Sequence, residues 1–507
     1  MNWVLIFNFS KLETVMTSFF KKQTWISGLN ILLLLFCAAG LSANNIQIGA
    51  PTLTGENRTE GYVFVTFDLS WENSWRGTEA NNWDAAWVFV KFRIGGGEWQ
   101  HAKLHNTGHL PGTGTAATIS AGLINNSLPF GTTSNPAVGV FIHRSSNGFG
   151  EFNTVGNKVR WNYIADGITN ATTLEVNVYA IEMVYVPEGE FNVGGGNVGG
   201  DAFISTTINT GDAKVVPSGT GSLGGQAGGY PTGQTPPTYS TWPNGYNAFY
   251  CMKYEITQQQ YVDFLNSLTP TQSYNRVEYD VYYGYGYFPD RYQVSRNGSG
   301  QFSTSNPELP CGRLTIMDGA AYSEWAGLRP MTDMEYEKSC RGNQPPVIDE
   351  YAWGSAGVNY DSYTLTNFNQ DNEGILANYN SNLGNANILG PHYQNGSGFY
   401  GPLRVGIFAS NGSNSGRVSA GASYFGIMEL TGSLLESFLS INDPYDGKHG
   451  IGSLSIDGNP TSFSPGNLVF KGGSYYHYAW PVSRRDLYAI QIWGREPNMG
   501  FRSVRSE

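Results

Sequence analysis

Residues 45–179 are built from short alternating runs, with Phe or Tyr on one face and Val on the other in the clearest of them, each run closed by turn residues. Tyr62-Val63-Phe64-Val65-Thr66-Phe67-Asp68-Leu69 is one such run, and 86–92 repeats the pattern before Gly95-Gly96-Gly97. Further runs lie at 138–143, 158–164 and 173–180. A period of two, frequent turns and no helical stretch predict an antiparallel, all-β sandwich over residues 44–179.

The pattern changes in the second half. Thr257-Gln258-Gln259-Gln260 has the form of a capping box, and Tyr261, Phe264, Leu265 and Leu268 share one helical face behind it. A second helix is expected from Met317 through Tyr322 and Trp325 to Gly327. A third starts at Thr332, with Glu335 three residues on, and stops before Gly342. Three short helices among strands and loops make residues 180–507 an α+β domain with little regular secondary structure. Two insertions interrupt it. Segment 194–246 carries repeated glycine pairs and Pro236-Pro237, and is expected to be flexible. Segment 271–307 is rich in tyrosine and reads as a contact surface or an ordered loop. The glycine clusters lack the strand-in, helix-out context of a phosphate loop.

Composition supports this division. A chain of 507 residues suggests two folded units. Gly at 65 and charged residues at only 14% fit a turn-rich, extended protein. The net charge of -11 argues against nucleic acid or an anionic membrane as the main partner.

Near the N-terminus, Lys21 and Lys22 precede the apolar stretch 31–36, and Leu41-Ser42-Ala43 offers a cleavage site before Asn44. Residues 1–43 therefore read as a signal peptide, too short an apolar run for a membrane span, and the mature chain is expected in the cell envelope or outside the cell. Lipidation at Cys37 is the alternative, and the bulky Phe36 before it argues against it. The remaining Cys251, Cys311 and Cys340 are odd in number and form no CxxC pair, so no disulfide framework is expected, while one bridge stays open. His101, His105 and His109 have metal-ligand spacing only on a helix. Gly108 and the preceding triple-glycine turn favour loop histidines instead.

The last stretch, 471–505, opens on Gly472-Gly473-Ser474, carries Tyr475, Tyr476, His477, Tyr478 and Trp480, then Arg484 and Arg485, and closes on Gly500-Phe501-Arg502. Rings and guanidinium groups beside glycine turns suit a recognition surface, because rings give contact area at low entropic cost and arginine gives forked donors. A pair of aromatic core strands is the other reading.

Seven blocks then line up. They are 183–191 (MVYVPEGEF), Tyr254-Glu255-Ile256-Thr257 with Tyr261 and Phe264, 325–332 with Glu335, Tyr336, Glu337, Arg341 and Gly342, Tyr351-Ala352-Trp353-Gly354, 425–432 with Glu436, Lys471-Gly472-Gly473-Ser474, and Gly500-Phe501-Arg502. In this order they resemble the sulfatase-modifying-factor, or formylglycine-generating-enzyme, family. The resemblance implies a C-type-lectin-like fold for 180–507, with Trp325, Trp353 and the Arg329-Pro330 turn as scaffold. Arg341 and Arg502 are read as buried partners of carboxylates such as Glu335 or Glu337.

Family oxidases use two copper-binding cysteines after the glycine-glycine-serine turn. Those positions fall at or next to His477 and near Val482, so copper is not expected, since copper(I) selects thiolates. A family branch with a helical iron domain does not fit a strand-rich N-terminal unit. The resemblance also implies calcium at Glu436, with carbonyls from Thr431, Gly432 and Leu434, and at a second place formed by Asn378 and Tyr379 with residues around Ser397 and Phe399. The sequence thus reads as a non-catalytic binding or assembly protein, with Tyr475, Tyr476, His477, Tyr478, Trp480, Arg484 and Arg485 contacting a protein or glycan ligand or another copy. The alternative is an enzyme of the family acting through other residues.

Overall fold

The computed structural model describes residues 46–78, 80–123, 136–169, 173–196, 202–214, 223–224, 230–231, 234–284, 290–388, 400–487 and 494–507. The expected signal peptide, its expected cleavage site and Cys37 lie outside them. Among the described residues no helix is long and apolar enough to cross a membrane.

Twelve strands and three helices carry the architecture. In chain order the first strands are β1 (Tyr62–Arg76), β2 (Asp84–Ile94), β3 (Ala117–Leu123), β4 (Ala137–Arg144), β5 (Gly148–Trp161), β6 (Leu174–Val186) and β7 (Phe249–Met252). Then come helix α1 (Gln258–Asn266), helix α2 (Ile316–Trp325), β8 (Arg329–Pro330) and helix α3 (Asp333–Arg341). Last are β9 (Leu435–Leu439), β10 (Leu468–Lys471), β11 (Met499–Gly500) and β12 (Ser503–Ser506).

The capping signals form as expected. Thr257 and Gln260 close a reciprocal capping box on α1, and Thr332 and Glu335 do the same on α3. Helix α2 is capped one step earlier than expected, by Thr315 with Asp318. The tyrosine-rich insertion differs from a plain loop. It holds two short helices, Pro270–Asn275 behind a Thr269–Gln272 capping box and Tyr279–Tyr283. The glycine-rich insertion is anchored where it is described: Thr206–Ile208 pairs with Phe191–Val193, and Phe203, Ile208 and Trp242 are buried in the main core.

β1 and β5 form the centre of a five-stranded sheet. Facing it is an eight-stranded antiparallel sheet in the order β8-β12-β7-β6-β2-β4-β3, with Gln100–His101 added beside β2. Alternation in β2 explains how both faces are covered. Ala86, Val88, Val90 and Phe92 point into a core shared with Val65, Phe67, Trp71 and Trp161 of the five-stranded sheet. Ala85, Trp87 and Phe89 point the other way, against Phe264, Ala321 and Trp325 of the helices. A strand buried on both faces needs apolar residues at every position, which is what 85–90 supplies.

β6 is the seam. It pairs with β2 from Leu174 to Val184 and with β7 from Met183 to Val186. The boundary drawn at 179/180 therefore falls inside one continuous strand. Glycines make the packing possible there: a Cβ on Gly122 or Gly139 would lie 2.4 or 2.5 Å from the Trp87 ring, whose Nε1 donates to the Ala326 carbonyl at 2.8 Å. Lys253 crosses the same seam, 3.3 Å from Glu182 and 3.8 Å from Asp84. One ammonium serves two buried carboxylates. Asp84 also accepts from Trp71 Nε1, Ser74 Oγ and the Trp75 amide, so it is the better host for the negative charge. Glu182 lacks such donors, and burial pushes its carboxyl up to about 8.

Candidate functional site

The C-terminal stretch is held by buried ion pairs. Lys471 at the end of β10 donates to Glu337 Oε1 at 3.0 Å and to the Val482 carbonyl at 2.7 Å. Arg502 Nε lies 2.6 and 2.9 Å from the two oxygens of Glu436 on β9. Arg341 bonds Glu337 and Glu350, while Glu335 is taken by Arg329. Arg341 and Arg502 are thus scaffold cations, although the partner of Arg502 is Glu436, not Glu335 or Glu337.

After Lys471 the chain turns through Gly472 and Gly473, both at positive φ; a Cβ on Gly473 would sit 2.6 Å from the Tyr478 carbonyl. The turn returns Tyr475 to Tyr478 as a hairpin-like loop, with the His477 amide donating to the Ser474 carbonyl at 2.8 Å. Tyr476 is 49% exposed and Tyr478 is 62% exposed. His477 is half-buried between them. Its Nδ1 is 2.8 Å from Ser474 Oγ and 3.3 Å from Asn498 Nδ2, both of which can donate to it. That network places the ring proton on Nε2. Burial, and after it the Arg484 cation, holds the imidazole below its ordinary value and so neutral.

The remaining candidates divide into floor and face. Tyr475 and Trp480 are buried. Tyr475 packs edge-on against Tyr400, its hydroxyl has no hydrogen-bond partner, and burial pushes it well above the usual phenol range. Arg484 lies over the Trp480 ring with Cζ 3.8 Å from the centroid and its side chain 41% exposed. Arg485 leaves the group: its guanidinium is buried against Asp333 Oδ2 and stacks 4.0 Å from the Phe203 ring. Its partners come from α3 and the glycine-rich segment, which nothing local in the sequence announced. Sequence reasoning also missed Tyr400, Ser474 and Asn498, the residues that fix Tyr475, Tyr476 and His477. The Ser474–His477 pair does not present a nucleophile, because Ser474 is fully buried and its oxygen also accepts from the Tyr476 amide and Asn498.

The side chains implied for the metals are largely engaged or buried. Both oxygens of Glu436 face Arg502, and beside the segment Glu255 Oε1 takes the Leu434 amide at 2.9 Å while its Oε2 has no hydrogen-bond partner. Thr431 Oγ1 accepts from the Ala352 amide, and the Gly432 amide donates to the Gly472 carbonyl. At the second place the Asn378 carbonyl accepts from Asn359, and Tyr379 donates to the carbonyls of Phe408 and Ser419. Ser397 and Phe399 lie outside the described residues. For copper, Val482 is buried and the three described cysteines are free and buried; burial pushes all three thiols up, Cys340 to about 12. Histidines 101 to 109 form no metal cluster either, with His109 Nδ1 accepting from the Arg160 amide and Nε2 facing the His105 carbonyl. Among the described residues no group of three or more acidic, histidine or cysteine side chains could hold a metal ion.

Strands around short capped helices, a glycine turn and buried arginine–carboxylate pairs define a domain of the sulfatase-modifying-factor class. The chain belongs to the family of sulfatase-modifying factor enzyme 1-like domains, whose model matches residues 169–507. That match begins ahead of β6 and so takes in the whole seam strand. No curated protein matches the sequence. Among 32 solved chains that resemble it in structure is Treponema denticola variable protein 1, at 11% identity and a TM-score of 0.31, covering 65% of this chain and 96% of that one.

Proposed function

We propose that this is an exported, non-catalytic binding protein whose contact face is Tyr476, His477, Tyr478 and Arg484, carried on a formylglycine-generating-enzyme-like, C-type-lectin-like domain behind a β-sandwich. The observation that carries the reading is the state of the two positions where the resemblance puts thiols. His477 is tied by its Nδ1 to Ser474 and Asn498, and Val482 is a buried core residue. Around His477 the family scaffold is kept and the surface is aromatic, amphipathic and half-exposed, with a ring N–H and a guanidinium as donors. Such a surface recognises a protein or glycan through stacking and a few directed hydrogen bonds.

The test is oxygen consumption by the purified mature protein with copper and a cysteine-containing peptide. No turnover above that of the His477→Ala variant is expected. Copper-dependent conversion of the cysteine would overturn the reading.

A further inference from the structure

A second candidate lies away from the C-terminal face, in a cavity of about 490 Å³ between seam strand β6 and helix α1. Its walls carry four carboxylates, Glu182 from β6, Glu255 from the loop after β7, Asp263 from α1 and Glu308 from the loop before α2. Between them stand the rings of Tyr179, Tyr254, Tyr322 and Trp325. Trp325 meets Tyr179 and Tyr322 with ring centroids 5.0 and 5.5 Å apart, which makes a continuous aromatic wall.

The charges of this cavity are not balanced from within. Arg93 also lines it, but both its forks go to Glu175, at 2.9 and 2.6 Å. Lys253 reaches Glu182 but is shared with Asp84. Behind Glu255, Arg502 binds Glu436 and the carbonyls of Met252, Lys253 and Met428; its Nη2 has no hydrogen-bond partner, and its charge partly offsets Glu255 without a bond between them. Glu255 is itself fully buried, with Oε1 on the Leu434 amide and Oε2 without a hydrogen-bond partner. Asp263 accepts from Gln259. Burial raises Glu308 to about 7, against the pull of the nearby Arg404 cation, and Asp263 to about 6.

We propose that this cavity binds an organic cation, an ammonium or guanidinium on a short flexible stem of the size of a lysine or arginine side chain. The carboxylates supply charge-assisted acceptors for the cationic head, and the aromatic wall takes the stem and the face of the charge. Volume and composition agree: the space holds a side chain, not a folded partner, and a cationic head would draw the protons off the raised acids Glu182 and Glu308 and pair with the carboxylates it leaves.

Titration calorimetry on the full mature protein tests this with N-acetyl-lysine methylamide and its uncharged isostere N-acetyl-norleucine methylamide. The lysine compound should bind saturably and about tenfold or more tighter than the norleucine compound, which keeps the four-carbon stem and lacks the ammonium, a gap of about 1.4 kcal/mol. Glu308→Gln and Asp263→Asn, both at partly exposed positions, should each weaken the lysine compound severalfold. Phe149→Ala, at an exposed position outside the cavity lining, should leave it unchanged. No saturable binding, equal affinity for the two compounds, or unaltered affinity in both carboxamide variants would overturn the assignment, and none of these outcomes bears on the oxygen-consumption test.

Discussion

Arg502 Nε sits between the two carboxylate oxygens of Glu436, at 2.6 and 2.9 Å, and both side chains are almost completely buried. The pair ties Arg502, in the link between β11 and β12, to Glu436 near the start of β9. A buried pair of this kind is worth little relative to an apolar replacement of both partners, but removing one partner strands the other charge. Arg502→Met should therefore lower unfolding free energy by about 3–5 kcal/mol, read as a shift in urea midpoint. The double variant with Glu436→Leu should recover part of that loss. A double variant worse than the sum of the two singles would contradict the pairing.

The same geometry separates scaffold from metal. If Glu436 acts only as the partner of Arg502, Glu436→Gln destabilises equally in excess calcium and in chelator. Thermal melts of wild type and variant in both buffers decide the matter. A stabilisation of wild type by calcium that the variant loses would restore the ion to the site.

Glu182 makes a pH prediction. Burial first of all raises it from 4.5 to about 8 in the folded chain. Between those values the folded state keeps a proton that the unfolded chain has released, so this group's contribution to stability is full at low pH and is lost as pH rises to about 8. Other buried groups titrate in the same range, so the readout is the difference between wild type and Glu182→Gln, whose amide stays uncharged. That difference should fall steadily from about pH 5 to about pH 8. A difference that rises with pH would show Glu182 to be the charged partner of Lys253.

Exposure on the C-terminal face predicts a split among its aromatics. Tyr476→Ala and Tyr478→Ala should leave stability within about 0.5 kcal/mol, because neither ring is part of the core. Trp480→Ala empties a buried position and should cost about 3–5 kcal/mol. Chemical denaturation of the three variants gives the comparison directly, and a comparable loss in all three would mean the face is packed rather than presented.

The seam predicts cooperativity. Fragments ending at 179 or starting at 180 each lose half of β6, and the second also loses Trp87 from its core, so neither should show a cooperative thermal transition alone. Gly139→Ala in the intact chain forces a methyl group onto the Trp87 ring and should cost about 1–3 kcal/mol. A well-dispersed amide spectrum from the 180–507 fragment would instead establish that the second unit folds independently.

Much of this was legible because it is local. The Thr257–Gln260 and Thr332–Glu335 caps are written within four residues, and strands such as 86–92 in their own alternation. Several of the family blocks are legible for a related reason, being turns or caps with few residue choices. The helices at Pro270–Asn275 and Tyr279–Tyr283 escaped because tyrosine content drew the reading away from the Thr269–Gln272 cap.

By itself the sequence determined these elements, the family of residues 169–507 and the lack of thiols after Cys340. Tertiary structure decided where each face of an element goes. Arg484 and Arg485 are neighbours, yet one lies half-exposed on Trp480 and the other is buried against Asp333. In an extended segment adjacent side chains point to opposite sides, and which side is solvent depends on α3 and the segment around Phe203, far away in the chain. Alternation in β2 and β6 likewise fixes two faces, but only packing of the five-stranded sheet on one and α1 and α2 on the other made both of them core.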